Sequence, residues 1–91
     1  MKVENMTSSN GNKVANQFII TDDNGYKYFQ SYDSLIVKIE DDGVMSITYL
    51  DEIYWNYSKT TSKYRNIFLN ETTKETQEKI TNGEYHLTNL N

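Results

Sequence analysis

Hydrophobic and polar residues alternate with a period of two over the first half of the chain. Four segments show this pattern with β-branched and aromatic content, near residues 14–21, 26–32, 35–40 and 44–49. The dipeptides Asn24-Gly25 and Asp42-Gly43 separate neighbouring segments and favour tight hairpin turns. At Asn24-Gly25 we expect a type I′ turn, with positive φ at both residues. The pattern predicts an antiparallel β-meander of about four strands.

After Tyr49 the apolar spacing changes to three and four residues, which is typical of an amphipathic helix. The spacing predicts a helix near residues 61–69 that ends near Asn70. Its apolar face is expected to carry Tyr64, Ile67 and Phe68, and its N-cap is expected to be Thr60, Thr61 or Ser62.

Thr72 and Glu75 have the spacing of a capping box, which predicts a second helix over residues 73–81 with Gly83 as its left-handed C-terminal residue. The last residues, EYHLTNLN, indicate a short final strand or tail. Residues 1–12 show little periodicity and are expected to form a flexible arm or a short edge segment. We therefore predict one α+β domain over residues 13–91, with two C-terminal helices against the sheet.

Composition excludes several classes of protein. The 91 residues suit a single small domain, and the absence of Cys removes disulfides, thiolate zinc sites and Cys nucleophiles. No apolar stretch has the length of a membrane span, and the N-terminus lacks the apolar centre of a signal peptide. We expect a soluble protein without a membrane partner. The net charge of −4 argues against binding to duplex DNA.

No residue pattern indicates catalysis. The single His86 has no Cys or Gly-flanked Ser as a partner, and neither an EF-hand loop nor a phosphate-binding GxxxxGK loop is present. Pairs of carboxylates occur mostly at predicted hairpin turns, where Asp forms local hydrogen bonds. We expect no enzyme activity, no cofactor and no metal site.

Charge and tyrosine content suggest a partner-binding face. Residues 22–52 contain eight acidic and two basic residues, and the chain has eight Tyr, a residue enriched at protein interfaces. If the Phe29 side chain faces the core, the tyrosines of the same strand face outward, away from the core. The pattern is equally compatible with the opposite arrangement, in which the tyrosines lie on the core side. The candidate partner-binding residues are acidic or aromatic: Asp41, Asp42, Asp51, Glu52, Tyr26 and Tyr28.

The segment YWNYSKTTSKYRNIFL (54–69) offers an alternative site. A helix start attracts anions, hydroxyls and cations can hold phosphate, and an aromatic ring can stack on a base. The candidate phosphate- and base-binding residues are Trp55, Tyr57, Thr60, Thr61, Lys63 and Arg65. The competing interpretation, which we favour, makes Trp55 part of the core and leaves Arg65 exposed in solvent.

Four segments of the chain resemble those of a known family: NKVANQF (12–18), YFQSYDSLI (28–36), YWNYSKTTSKYRNIFL (54–69) and EYHLTNLN (84–91). They resemble a family of small phage and prophage proteins of unassigned function from low-GC Gram-positive hosts. The resemblance implies an accessory protein in the cytoplasm of the host bacterium.

Three functions are compatible with this setting. The leading hypothesis is an inhibitor without enzyme activity that binds a host-defence protein such as a CRISPR nuclease, in the manner of anti-CRISPR proteins. The alternative is a sponge that sequesters a cyclic nucleotide or ADP-ribose-type signal. A virion or assembly accessory protein is the third possibility, and homo-oligomerisation is left open.

Overall fold

The computed structural model describes all residues, 1–91. It contains six strands and two helices, in the order β1 (Lys2–Thr7), β2 (Lys13–Thr21), β3 (Lys27–Ser31), β4 (Ser34–Asp41), β5 (Ser46–Asp51), α1 (Lys59–Leu69), α2 (Thr73–Thr81) and β6 (Tyr85–Thr88).

The strands form one sheet in the order β1-β2-β3-β4-β5-β6. All neighbouring strands are antiparallel except β5 and β6, which are parallel. A parallel pair requires a long crossover, and α1 and α2 supply it. The α+β class is confirmed, and the four predicted strands correspond to β2–β5. The sheet has two more strands. Residues 2–7 form the short edge segment that was the alternative to a flexible arm, and residues 85–88 form the short final strand that was the alternative to a tail.

The turn between β2 and β3 differs from the type I′ turn predicted at Asn24-Gly25. Only Gly25 has positive φ, at 83°, and its N–H donates to the Asp22 carbonyl at 3.0 Å. The Asp22 carboxylate accepts hydrogen bonds from the N–H groups of Asn24 and Tyr26. These bonds hold Asn24 in a right-handed conformation, so Gly25 alone supplies the left-handed residue.

An irregularity in β4 changes which residues share a face of the sheet. Phe29 pairs with Val37, whereas the next residue, Gln30, pairs with Leu35, so Ile36 is an extra residue between the two pairs. Ile36 and Val37 are both fully buried. A bulge of this kind shifts the alternation of side chains along its strand.

Both helices have side-chain caps. Ser58 caps α1 by accepting the Thr61 N–H at 3.1 Å, so the cap lies before the three predicted residues. The helix ends at Asn70 in the left-handed conformation, as the sequence indicates. The predicted capping box of α2 is confirmed, with Thr72 and Glu75 bonded reciprocally, and Gly83 has the expected positive φ.

The core lies between one face of the sheet and the two helices. The Phe29 and Phe68 rings are stacked with centroids 5.8 Å apart, and the Ser31 hydroxyl is hydrogen bonded to that of Thr61 at 2.8 Å. The buried apolar residues are Met6, Phe29, Ile36, Val37 and Leu50. Both helices lie on this side, so the core covers a single face of the sheet. Neither helix combines the length and apolar character needed to cross a bilayer.

Candidate partner-binding face

The second face of the sheet is covered by neither helix, and we call it the open face. Phe29 points toward α1, so its neighbour Tyr28 points to the opposite side. The strand register then places one row of residues across all six strands on this side: Val3, Ile20, Tyr28, Lys38, Tyr49 and His86. The sequence pattern predicts that Tyr28 faces away from the core if Phe29 lies in the core. Phe29 is buried in the core and Tyr28 lies on the open face, so this prediction is confirmed.

The open face is unusually apolar for an uncovered antiparallel sheet, which normally presents polar side chains to water. The register adds Phe18, Leu35 and Ile47 to the row of six, beside the polar Gln30 and Glu40. Most of these apolar and aromatic side chains are half-buried by their neighbours, while Val3 is 58% exposed. Contiguous exposed apolar surface is a frequent feature of protein interaction sites.

Lys38 is a cation at the centre of the open face. Its Nζ lies 5.8 Å from the ring centroids of both Tyr26 and Tyr28 and 3.0 Å from the Glu40 carboxylate. The hydrogen bond to Glu40 raises the pKa of Lys38, although partial burial opposes it. The two tyrosine rings therefore already hold one ammonium group.

Asp22 and Tyr28 form a second polar pair on this face. The Tyr28 hydroxyl donates to the Asp22 Oδ2 at 2.8 Å. Burial tends to raise the pKa of Asp22, but the hydrogen bonds from Tyr28 and from the backbone N–H groups of Tyr26 and Asn24 lower it below its ordinary value. The carboxylate therefore stays ionised at neutral pH.

A shallow groove of about 330 Å³ lies beside this pair. Its lining is mostly apolar and consists of Met1, Ile20, Asp22, Tyr28, Gln30 and Leu35. The Gln30 Nε2 donates to the Tyr32 carbonyl at 2.7 Å, which leaves the Gln30 side-chain oxygen without a partner in the fold. The groove thus has an apolar floor with hydrogen-bond acceptors from Asp22 and Gln30.

The acidic residues predicted for the partner-binding face do not form one patch. Asp41 and Asp42 are exposed at the β4–β5 turn, where their carboxylates accept backbone N–H groups of the turn. Asp51 and Glu52 lie at the other end of β5. Asp51 is buried and accepts hydrogen bonds from the N–H groups of Ile53, Tyr54 and Leu90 and from the Asn91 side chain. It is therefore a structural residue that a partner cannot reach.

The hairpin turns place two of the predicted aspartates, Asp41 and Asp42, at the same end of the sheet as two that were not predicted, Asp22 and Asp23. The β2–β3 and β4–β5 hairpins turn at the same end of the sheet, since Lys27 of β3 pairs with Ile39 of β4. This places four aspartates at that end, next to Tyr26: Asp22, Asp23, Asp41 and Asp42. Asp22 was not among the predicted site residues, because its position in a DDNG turn gives no signal beyond turn formation.

Arg65 was expected to be exposed, and this prediction is wrong. The side chain is fully buried, and its guanidinium donates to the Trp55 carbonyl and to the side-chain oxygens of Asn56, Asn66 and Thr73. Its carbon Cζ lies 5.2 Å from the Trp55 ring centroid. Burial lowers the pKa of Arg65, and the negative charge of Glu71 partly opposes this effect.

The predicted phosphate site is consequently not assembled. Thr61 is also fully buried and bonded to Ser31, so two of the six candidate residues cannot reach a ligand. Trp55 is half-buried against the core, as the favoured interpretation had it. The remaining three are exposed around the start of α1: Tyr57, Thr60 and Lys63.

A buried polar cluster joins α2 and the segment that precedes it to β6. The Glu71 carboxylate accepts hydrogen bonds from Lys79 at 2.8 Å, from Thr76 at 2.5 Å and from the Tyr85 hydroxyl at 2.7 Å. Burial would raise the pKa of Glu71, but these hydrogen bonds lower it. Burial and the bond to Glu71 raise the pKa of Tyr85 to about 12. The Glu71 side chain is only 3% exposed, and both of its carboxylate oxygens accept hydrogen bonds within the fold, so the cluster is structural. No three His, Asp or Glu side chains converge to hold a metal ion.

Sequence comparison assigns the chain to a family. A family described as a family of unknown function, DUF8033, matches residues 1–84, which is nearly the whole chain. The chain belongs to the DUF8033 family. No curated protein and no solved structure matches it. Membership in this family names no activity.

Proposed function

We propose that this DUF8033 protein is an inhibitor without enzyme activity that binds a host-defence effector through its open face. The observation that supports the proposal is the row of side chains that crosses all six strands without a covering element. Its members are apolar or aromatic in every strand except β4, which contributes Lys38. Tyrosine provides large contact area with a polar tip and is enriched at protein interfaces. A protein surface can cover such a face, and covering it would remove apolar area from water.

Charge supports an effector that binds nucleic acid. The chain carries −4, and four aspartates lie at the end of the sheet next to the open face. Effectors that hold nucleic acid have positively charged grooves, and complementary charge accelerates association with them. The sequence resemblance supports a phage setting, and the proposed site of action is the cytoplasm of a bacterial host.

A plaque assay tests the proposal. The protein is expressed in a Gram-positive host with an active CRISPR or nuclease-based defence, and a targeted phage is plated. We expect the efficiency of plating to rise and the purified protein to co-elute with the effector. The double variant Tyr28→Ser, Tyr49→Ser should lose both effects. Tyr57→Ser is the matched control, since Tyr57 is 47% exposed and lies near the start of α1 rather than on the open face.

Two results would contradict the proposal. The first is failure to protect phage against any of these systems. The second is equal protection by the wild type and the double variant. A thermal-shift screen with cyclic di- and trinucleotides and ADP-ribose derivatives addresses the sponge alternative. Stabilisation that is lost in Lys63→Ala would favour that alternative, and we expect no stabilisation.

A further inference from the structure

The groove beside Asp22 has the chemistry of a site for one particular side chain. Ile20 and Leu35 provide an apolar floor, and the Tyr28 ring lies on one side. Asp22 uses Oδ1 for two backbone N–H groups and Oδ2 for the Tyr28 hydroxyl. A carboxylate offers about four lone-pair positions, so one acceptor position of Asp22 stays free.

A long cationic side chain matches this arrangement better than a neutral or acidic one. Its methylene groups can lie on the apolar floor while its charged head reaches the carboxylate. The side-chain oxygen of Gln30 adds a second acceptor at the groove, because the Gln30 amide nitrogen is already bonded to Tyr32. An acidic side chain would meet the Asp22 charge in a half-buried position, which is unfavourable.

The two hydrogen-bond acceptors, Asp22 and Gln30, and the aromatic ring of Tyr28 favour arginine over lysine. A guanidinium has five N–H donors in a planar arrangement and stacks on aromatic rings, whereas an ammonium is a compact point charge. The Tyr28 ring of the groove also contacts the Lys38 ammonium, with Nζ 5.8 Å from the ring centroid, so this ring already takes part in one cation–π contact. The aspartates of the neighbouring turns add negative charge at this end of the sheet.

We infer that the groove lined by Met1, Ile20, Asp22, Tyr28, Gln30 and Leu35 binds an arginine side chain of the partner protein. The inference rests on the proposed function, because it names the partner chemistry that the open face recognises. The bound arginine lies along Ile20 and Leu35, and its guanidinium contacts Asp22 and the Tyr28 ring.

An NMR titration of the ¹⁵N-labelled full chain tests the groove without knowledge of the partner. The probe is N-acetyl-arginine amide, and the neutral isostere N-acetyl-citrulline amide is the ligand control. We expect saturable amide shifts centred on Ile20, Tyr28 and Leu35 with the arginine probe, and at least a tenfold weaker response with citrulline.

Two variants locate the effect. Asp22→Asn retains an oxygen for the turn hydrogen bonds but removes the charge, and it should weaken arginine binding at least tenfold. Glu78→Gln removes the same charge from an exposed position on α2, on the other side of the sheet, and should bind like the wild type. If Asp22→Asn does not fold, Leu35→Ser supplies a second test, because it removes part of the apolar floor and should also weaken binding.

Equal responses to arginine and citrulline, or an Asp22→Asn protein that binds like the wild type, would overturn the inference. The outcome is separable from that of the proposed function. Loss of effector binding in Tyr49→Ser with no arginine response would refute only the groove assignment, because Tyr49 does not line the groove. An arginine response without protection of phage would support the groove assignment and refute the proposed inhibition.

Discussion

Arg65 shows how the environment of one residue decides its role. The guanidinium joins the loop before α1 to the junction between α1 and α2, through Trp55 and Asn56 on one side and Asn66 and Thr73 on the other. It has no carboxylate within salt-bridge distance. Its burial is therefore offset by neutral oxygens and by the face of the Trp55 ring.

We predict that Arg65→Ala destabilises the protein by about 3 kcal/mol or more, because several hydrogen bonds to a charged group are lost and their acceptors stay buried. Urea denaturation followed by circular dichroism measures the change. Lys63→Ala is the control on the same helix and should change stability by less than about 0.5 kcal/mol, since Lys63 is exposed. An Arg65→Ala protein with the midpoint of the wild type would contradict this account of Arg65.

At the scale of elements, the strands and helices that obey local rules were predictable. The alternating segments of β2–β5, the capping box at Thr72 and the end of α1 near Asn70 follow from side-chain chemistry within a few residues. Strand β1 was not predictable, because its sequence KVENMT has little alternation and becomes a strand only by pairing with β2. Local sequence has no information about such long-range pairing.

The membership of the open face was only partly predictable. Once Phe29 is known to lie in the core, the alternation of side chains along the strand places Tyr26 and Tyr28 on the open face. Leu35 and Lys38 share the open face although they are three residues apart, because the bulge at Ile36 shifts the alternation. The burial of Asp51 depends on Leu90 and Asn91, which are 39 and 40 residues away along the chain. The burial of Arg65 depends on residues up to 10 positions away that lie around α1 and at the start of α2. The local pattern shows neither arrangement, so the exposed charge expected of both regions was too high.

Asp51 connects β5 to the end of the chain and leads to a prediction about β6. Its carboxylate accepts the Leu90 N–H at 2.8 Å and the Asn91 side-chain amide at 3.0 Å. We predict that Asp51→Asn increases the hydrogen-exchange rates of the backbone amides of β6 and Leu90, because an amide side chain provides one acceptor oxygen instead of two. Glu52→Gln is the control, since Glu52 is exposed, and its exchange rates should match those of the wild type. Unchanged exchange in Asp51→Asn would exclude this role.

For the whole molecule, the buried carboxylates predict sensitivity to acid. Burial would raise the pKa of Asp51, but hydrogen bonds from Leu90, Tyr54 and Asn91 lower it, and the pKa of Glu71 is also lowered. A depressed folded-state pKa contributes stability that is present above the unfolded value of about 4 and is lost as the pH falls through the folded value. We expect urea midpoints to be level from about pH 7 to 5 and to fall below about pH 4. The variant Glu71→Gln should be less stable at pH 7 and should have a smaller acid dependence than the wild type. A wild-type midpoint that stays constant down to pH 3 would contradict the assignment.

The architecture of the whole molecule is asymmetric. Both helices and the buried apolar cluster lie on one side of the sheet, and the aromatic row lies on the other. We therefore expect the helix side to determine stability, and we propose that the open face determines recognition. Substitutions on the two sides should separate, with the helix side changing stability and the open face changing binding.

The affinity of this protein for the defence effector that it inhibits in the plaque assay gives the most direct test. Isothermal titration calorimetry would compare the wild type, the Tyr28→Ser, Tyr49→Ser double variant and the Tyr57→Ser control. We predict that the double variant binds at least about 30-fold more weakly, as expected for hot-spot aromatics worth about 2 kcal/mol, while Tyr57→Ser binds like the wild type. Equal affinities for the wild type and a folded double variant would contradict the claim that the open face is the binding surface.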